Sequence, residues 1–255
     1  MIVEGQIALV TGAGSGLGAA TARHLAGAGA RVAVLDFDGA RADAVAQEIS
    51  GIAVQADVGD EPSVARAFDA ARAAFGAAPR IVISCAGIAS AARIVGREGK
   101  LSIDVFERTL RVNLLGTYIV MSHAARAMAV LEPLGPDGER GVIINTASVA
   151  YEDGQLGQAA YAASKGGVAS LALPAAREFA RSGIRVMVIA PGLFQTAMAE
   201  TLPDEVRATI AATIPFPSRL GHAAEYAMLA EQIIRNPFLN GTTIRLDGGV
   251  RLPPR

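Results

Sequence analysis

The sequence predicts an α/β fold: one doubly wound, seven-stranded parallel sheet with helices on both faces. Three observations predict it. Short apolar runs of buried-strand length alternate with helical segments along the whole chain, the order a parallel sheet requires. A glycine-rich turn, Gly12-Ala13-Gly14-Ser15-Gly16-Leu17-Gly18, joins the first apolar run to the first helix. The 255 residues, 51% of them hydrophobic, show no break in composition that would mark a linker, which suits one domain over residues 1–255.

Bulk properties exclude several classes. The formal net charge is −1, with acidic and basic residues interspersed, so neither a nucleic-acid surface nor a polybasic membrane patch is expected. The single cysteine, Cys85, forbids an intramolecular disulfide and fits a reducing compartment. His24, His123 and His222 lack metal-ligand spacing, so no metal site is expected. The N-terminus enters a strand without the basic flank and apolar core of a signal peptide, and no apolar run reaches the ~18 residues of a membrane span. The expectation is a cytoplasmic protein.

In order, Gln6 to Thr11 is a short apolar strand, and the glycine turn then opens a helix that runs to Ala28. Glycines at a strand-to-helix turn let the backbone approach a pyrophosphate, and the helix N-terminus supplies free N–H groups, so Gly12, Ser15, Gly16, Leu17 and Gly18 read as a dinucleotide cradle. A plain loop is the alternative for such a turn; its place after the first strand favours the cradle. The strand Arg31 to Leu35 ends at Asp36, whose carboxylate can accept from ribose hydroxyls and would repel a 2′-phosphate, which predicts NAD over NADP. Arg41 is the nearest downstream cation and the weak point of that inference. A helix over 38–49 precedes the strand Ile52 to Gln55; Asp57 and Val58 then lie where an adenine ring would sit, although Asp57 also reads as a turn residue. A helix from Glu61 to Phe75 leads to the strand Arg80 to Ser84, and the small residues Cys85, Ala86 and Gly87 leave room for a nucleotide. Cys85 has no base or redox partner and reads as packing near the cofactor.

Residues 90–104 form a polar connection, and one long helix is expected from Asp104 to Leu131, carrying Asn113 as an inward amide able to hold a water or a backbone carbonyl. After a loop from Glu132 to Arg140, the run Val142 to Ala147 reads as a buried strand with Ser148 at its carboxyl end, where open sheets place ligands. The next helix, to Ala180, carries Tyr161 and, four residues on, Lys165. Positions i and i+4 share a helix face, so phenol and ammonium can enter one pocket, where the cation would draw the tyrosine down from its usual ~10 towards a useful base. Chance would give this pairing roughly 0.03 times, because only two lysines, Lys100 and Lys165, stand against 21 arginines. A sixth strand, Ile184 to Ile189, ends at Ala190-Pro191-Gly192. The groups after this turn, with Phe194 and the Thr196 hydroxyl, could grip a nicotinamide carboxamide. Residues 194–217 have the composition of a substrate lid, a last helix spans Ala223 to Arg235, and Thr242 to Leu246 is the seventh strand.

Thr11-Gly12-x-x-x-Gly16-x-Gly18, Asn113, Ser148, Tyr161-x-x-x-Lys165 and Pro191-Gly192 together resemble the short-chain dehydrogenase/reductase superfamily over nearly the whole chain. The resemblance implies a Rossmann-type domain, usually a homotetramer, with Asn113, Ser148, Tyr161 and Lys165 as a catalytic tetrad. One departure is Ser84-Cys85-Ala86-Gly87, where the family usually has Asn-Asn-Ala-Gly. The blocks GVIINTASVA, GQAAYAASKGG, IAPGLF, IPFPSRLG, NPFLNG and IRLDGG are similar to the type II 3-hydroxyacyl-CoA dehydrogenases, also described as type 10 17β-hydroxysteroid dehydrogenases.

The expected chemistry is hydride transfer between NAD and a secondary alcohol such as a 3-hydroxyacyl-CoA. Tyr161 would act as base, Lys165 would lower its pKa and hold the nicotinamide ribose, Ser148 would bond the substrate oxygen, and Asn113 would support a water-linked proton path. Gln155, Leu156 and Gln158 are expected on one side of the substrate pocket, Phe194, Met198 and Leu202 on the other. Arg93, Arg97 and Lys100 could meet CoA phosphates or form a solvated loop. A different alcohol or ketone, steroid or aryl, and a non-catalytic NAD-responsive scaffold are the alternatives.

Overall fold

The structure is a computed structural model that describes residues 1–195, 205, 209 and 211–254. Seven strands form one parallel sheet in the order β3-β2-β1-β4-β5-β6-β7: β1 Ile7–Thr11, β2 Arg31–Asp36, β3 Ile52–Gln55, β4 Ile81–Ser84, β5 Gly141–Thr146, β6 Ile184–Pro191 and β7 Thr243–Leu246. The helices are α1 Gly16–Gly27, α2 Gly39–Glu48, α3 Glu61–Phe75, α4 Ile103–Leu110, α5 Gly116–Met128, α6 Ala159–Phe179 and α7 Ala223–Arg235. The chain reverses direction across the sheet between β1 and β4, and a crevice at the carboxyl ends of the strands is where such a sheet takes ligands.

Strand alternation builds two cores. Ala8, Val10, Ile81, Ile83, Val142 and Ile144 face a cluster with Leu25, Val45, Tyr226 and Ile233 from α1, α2 and α7. The intervening Leu9, Val82 and Ile143 face Val64, Phe68, Met121 and Met128 from α3 and α5. Strands buried on both faces read as continuous apolar runs, which is why they were visible in the sequence.

The helix ends show how the sequence directs the chain. Asp38 caps α2 by accepting from Arg41 N at 3.2 Å, and Asp60 caps α3 by accepting from Ser63 N at 3.0 Å. Gly76, left-handed at φ 79°, stops α3. Helix α1 differs, since Ser15 makes no side-chain cap and leaves its first turn open.

The single helix expected over 104–131 is a correction. Helices α4 and α5 are joined by a π turn, Arg111–Leu115, with Asn113 buried inside it. The Asn113 side chain bonds outward to Ile88, and Gly116 packs so closely on Val58 that a Cβ would lie 2.8 Å from Val58 Cγ2, so tertiary contact sets the local winding. The 90–104 connection contains a short 3₁₀ turn at Arg97–Gly99 and an antiparallel bridge between Val95 and Leu101. Of the expected lid, Thr196, Met198 and Leu202 lie outside the described residues. Among the described residues no helix is long and apolar enough to cross a membrane, and no cluster of His, Cys, Asp and Glu could hold a metal.

Candidate active site

A cavity of about 940 Å³ lies along the carboxyl ends of the strands. Its walls include Gly12, Ser15, Gly16, Leu17, Gly18, Asp36, Asp57, Val58, Cys85, Ala86, Gly87, Ser148, Tyr161, Lys165, Pro191, Gly192 and Phe194. Residues from Gly12 to Phe194 are therefore brought together by strand order.

At one end, the β1–α1 turn comes close to both its neighbours. A Cβ on Gly12 would lie 2.7 Å from Ala86 Cα, and one on Gly18 would overlap the Gly12 carbonyl oxygen. Only hydrogens fit there, which draws α1 against the sheet and turns its uncapped first-turn N–H groups to the cavity. The Asp36 carboxylate is fixed beside this turn, one oxygen accepting from Gly14 N at 2.8 Å and the other from Asp38 N at 2.9 Å. Arg41 directs its Nε to Asp38, 3.2 Å away. Asp57 closes a local turn by accepting from Gly59 N at 2.8 Å and also lines the cavity.

At the other end, Lys165 Nζ donates to the Thr146 carbonyl at 2.8 Å and stands 5.9 Å from the centre of the Tyr161 ring. Lys165 is only 5% exposed, and burial lowers its pKa from the usual 10.5 to about 8. Burial also raises the Tyr161 phenol above its ordinary value, opposed by a hydrogen bond with Ser148. The expectation that Lys165 draws Tyr161 downward is thus corrected for this state. Desolvation acts on both groups, raising the phenol and lowering the ammonium. Ser148 is buried, and its Oγ also accepts from Ala150 N at 3.2 Å.

Asn113 does not line the cavity but braces its wall. Its Oδ1 accepts from Ile88 N at 2.8 Å, while Nδ2 donates to Ile88 O at 3.0 Å and to Ser164 Oγ at 3.1 Å. The neighbouring Gly87 is held so that a Cβ would lie 3.1 Å from Asn113 Oδ1 and 3.5 Å from Lys165 Nζ. Gln155 and Gln158 also stay out of the cavity lining. Gln158 Oε1 accepts from Gln155 N at 3.0 Å, and Gln155 Nε2 donates to the Pro253 carbonyl at 3.0 Å. Leu156 is exposed, and its N–H donates to Pro254 O at 3.0 Å. Arg93, Arg97 and Lys100 are exposed and likewise outside the lining.

Sequence reasoning missed Thr146, Arg108 and Arg111, all on the cavity wall. Thr146 ends an apolar run beside the chosen Ser148, and that adjacency was a usable signal. The two arginines sit on the exposed side of a helix, where nothing distinguishes them from solvated surface.

A profile of the short chain dehydrogenases matches residues 6–207. The chain belongs to the short-chain dehydrogenase family. Within it, the chain is 48% identical over 256 residues to the 3-hydroxyacyl-CoA dehydrogenase type-2 of Bos taurus, covering 99% of this chain and 97% of that one. The crystal structure of 3-hydroxyacyl-CoA dehydrogenase type-2 from Mycobacterium avium superposes with a TM-score of 0.92 at 39% identity, over 97% of this chain and 96% of that one. The 3-ketoacyl-(acyl-carrier-protein) reductase of Brucella melitensis, solved with NADH, gives 0.84 at 29% identity, over 98% and 100% of the two chains. A nicotinamide cofactor fits this short-chain dehydrogenase, because the glycine turn and the uncapped start of α1 line the cavity.

Proposed function

We propose that the protein is an NAD-dependent dehydrogenase that interconverts 3-hydroxyacyl-CoA and 3-oxoacyl-CoA. The observation that carries this reading is the meeting of Ser148, Tyr161 and Lys165 on one wall of a cavity that also contains the α1 turn and Asp36. The names of the cattle and Brucella relatives share an acyl chain with oxygen at carbon 3 and differ in the carrier, coenzyme A or a protein. Asp36, with Arg41 turned to Asp38, supports NAD over NADP.

In oxidation, Tyr161 takes the hydroxyl proton of the substrate while Ser148 Oγ hydrogen-bonds the same oxygen. Gly12, Ser15, Gly16 and Gly18 would hold the pyrophosphate, Asp36 the ribose, and Lys165 the second ribose. When bound, the nicotinamide supplies the hydride acceptor and, oxidised, a positive charge. Asn113 fixes the Ile88 peptide and keeps Gly87 against the ammonium. Phe194 closes the substrate end through its bridge to Gly221. A homotetramer would cover the apolar surface of Leu110, Leu114, Leu115, Tyr118 and Leu171, where Leu115 and Tyr118 are about half exposed.

The test is a panel of acetoacetyl-CoA, steroid ketones and aryl ketones, each with NADH and NADPH. The highest kcat/KM is expected for acetoacetyl-CoA with NADH, and a preference for an aryl ketone would overturn the substrate class. Tyr161→Phe should lose roughly 10²–10⁴ in rate; near-normal turnover would refute the base assignment.

A further inference from the structure

The mechanism leaves three polar groups unused, the buried Thr146 and Tyr226 and the partly buried Cys85, and they converge behind Lys165. Tyr226, on α7, heads the fully buried side chains of the described residues in volume, and its hydroxyl lies 2.7 Å from Thr146 Oγ1 at the end of β5. The Cys85 sulfur, just past β4, lies 3.7 Å from the Tyr226 oxygen and 3.7 Å from Thr146 Oγ1. Each group can donate one proton and accept another. Thiol to phenol, phenol to threonine and threonine to sulfur therefore close a ring in which every proton is spent.

The ring ties two central strand ends to a helix on one face of the sheet. A phenylalanine at 226 would fill almost the same volume without a polar group to bury, so stability alone gives little reason for a hydroxyl here. The reason lies on the other side of Thr146. Its side chain is held by the ring, and its carbonyl accepts the 2.8 Å bond from Lys165 Nζ. The one residue thus carries both contacts, while the Ala147 N–H of the same peptide bonds Ile189 O at 2.8 Å and holds that carbonyl from the sheet side.

We propose that the Cys85–Thr146–Tyr226 ring positions Lys165, holding its ammonium against the Thr146 carbonyl and beside the Tyr161 ring. Thr146 and Tyr226 are positioning residues and touch no reacting atom. The titratable groups facing the ammonium are Tyr161 from its own helix and Cys85 from the end of β4, with Tyr226 behind Cys85 from α7; the neutral Asn113 faces it across Gly87. The consequence for catalysis rests on the dehydrogenase reading above, whereas the consequence for the ammonium does not.

Two readouts separate these. The chain has two lysines, so side-chain lysine NMR of the full-length protein gives two assignable signals, Lys100 and Lys165. In Tyr226→Phe and Thr146→Val the Lys165 signal should shift and titrate at a higher pH, as the released ammonium gains solvent, with Lys100 unchanged. Thr146→Ser, which keeps the hydroxyl, should recover most of the difference. In Tyr226→Phe and Thr146→Val turnover at neutral pH should fall roughly 5- to 50-fold, with substrate KM within about twofold. A merely structural ring would lower the melting temperature and leave both the Lys165 titration and the turnover of the folded enzyme in place; that result overturns the proposal. Equal losses in Thr146→Ser and Thr146→Val overturn it too, and that pair decides the matter if Tyr226→Phe does not fold. A shifted Lys165 signal with an active Tyr161→Phe enzyme would sink the dehydrogenase mechanism and leave the positioning role standing.

Discussion

Replacing Lys165 by methionine tests what it costs this fold to keep an ammonium in its interior. The side chain titrates near 10.5 when exposed and at about 8 in the folded protein, because burial disfavours its charged form. Between those values the unfolded chain binds the proton that the folded chain has released, so stability must rise with pH across that window. Below pH 8 both states hold the proton, and the folded state carries the full penalty of burying it. Worked through the linkage relation, the wild type should gain about 2 kcal/mol over Lys165→Met between pH 7 and pH 9.5. The absolute offset also contains the lost bond to the Thr146 carbonyl, so the slope with pH is the decisive quantity. Urea unfolding of both proteins, at one fixed protein concentration and at half-unit steps of pH, measures it. Parallel stability curves would show that the ammonium is not destabilised by burial, and the electrostatic account of the site would fail with it.

Three other outcomes follow from the geometry. Asp36→Ala removes the acceptor held by Gly14 N and should raise the KM for NAD about 10- to 100-fold while improving the relative use of NADP; an unchanged ratio of the two would refute the assignment. Arg245 ties β7 to Glu152, Asp153 and Asp247, two of which are almost buried, so Arg245→Ala should cost about 3 kcal/mol, read as a melting temperature lower by roughly 6–12 °C. Gly18→Ala forces a methyl onto the Gly12 carbonyl and should abolish NADH binding in a direct fluorescence titration; retained affinity would mean that the turn relaxes freely.

How much of this was legible depended on how local each cause is. The strands were readable because burial on both faces leaves continuous apolar runs such as Val142 to Ile144, and the cradle because glycine spacing answers to a backbone contact a few residues away. Asn113 was recognised as inward-facing, but the π turn around it was not, since its cause is the distant Ile88 peptide and the tight seat of Gly116 on Val58. Gln155 looked like a pocket residue because nothing nearby in sequence reveals that Pro253 will occupy its amide. The direction in which Tyr161 is shifted was misjudged for a related reason. A pairing of phenol and ammonium can be read from spacing, whereas the depth at which both are buried is a property of the assembled sheet.

The turn at Arg111–Leu115 acts as a phase shifter along the chain. Each residue of an α-helix advances it by about 100°, so the extra residue of a π turn rotates everything beyond it by that angle. With the turn in place, Val120, Met121, Ala124 and Met128 face the sheet while Asn113 reaches Ile88. Deleting a single residue there would restore regular winding, yet swing one of those two sets out of alignment. This stretch should therefore tolerate no change of length.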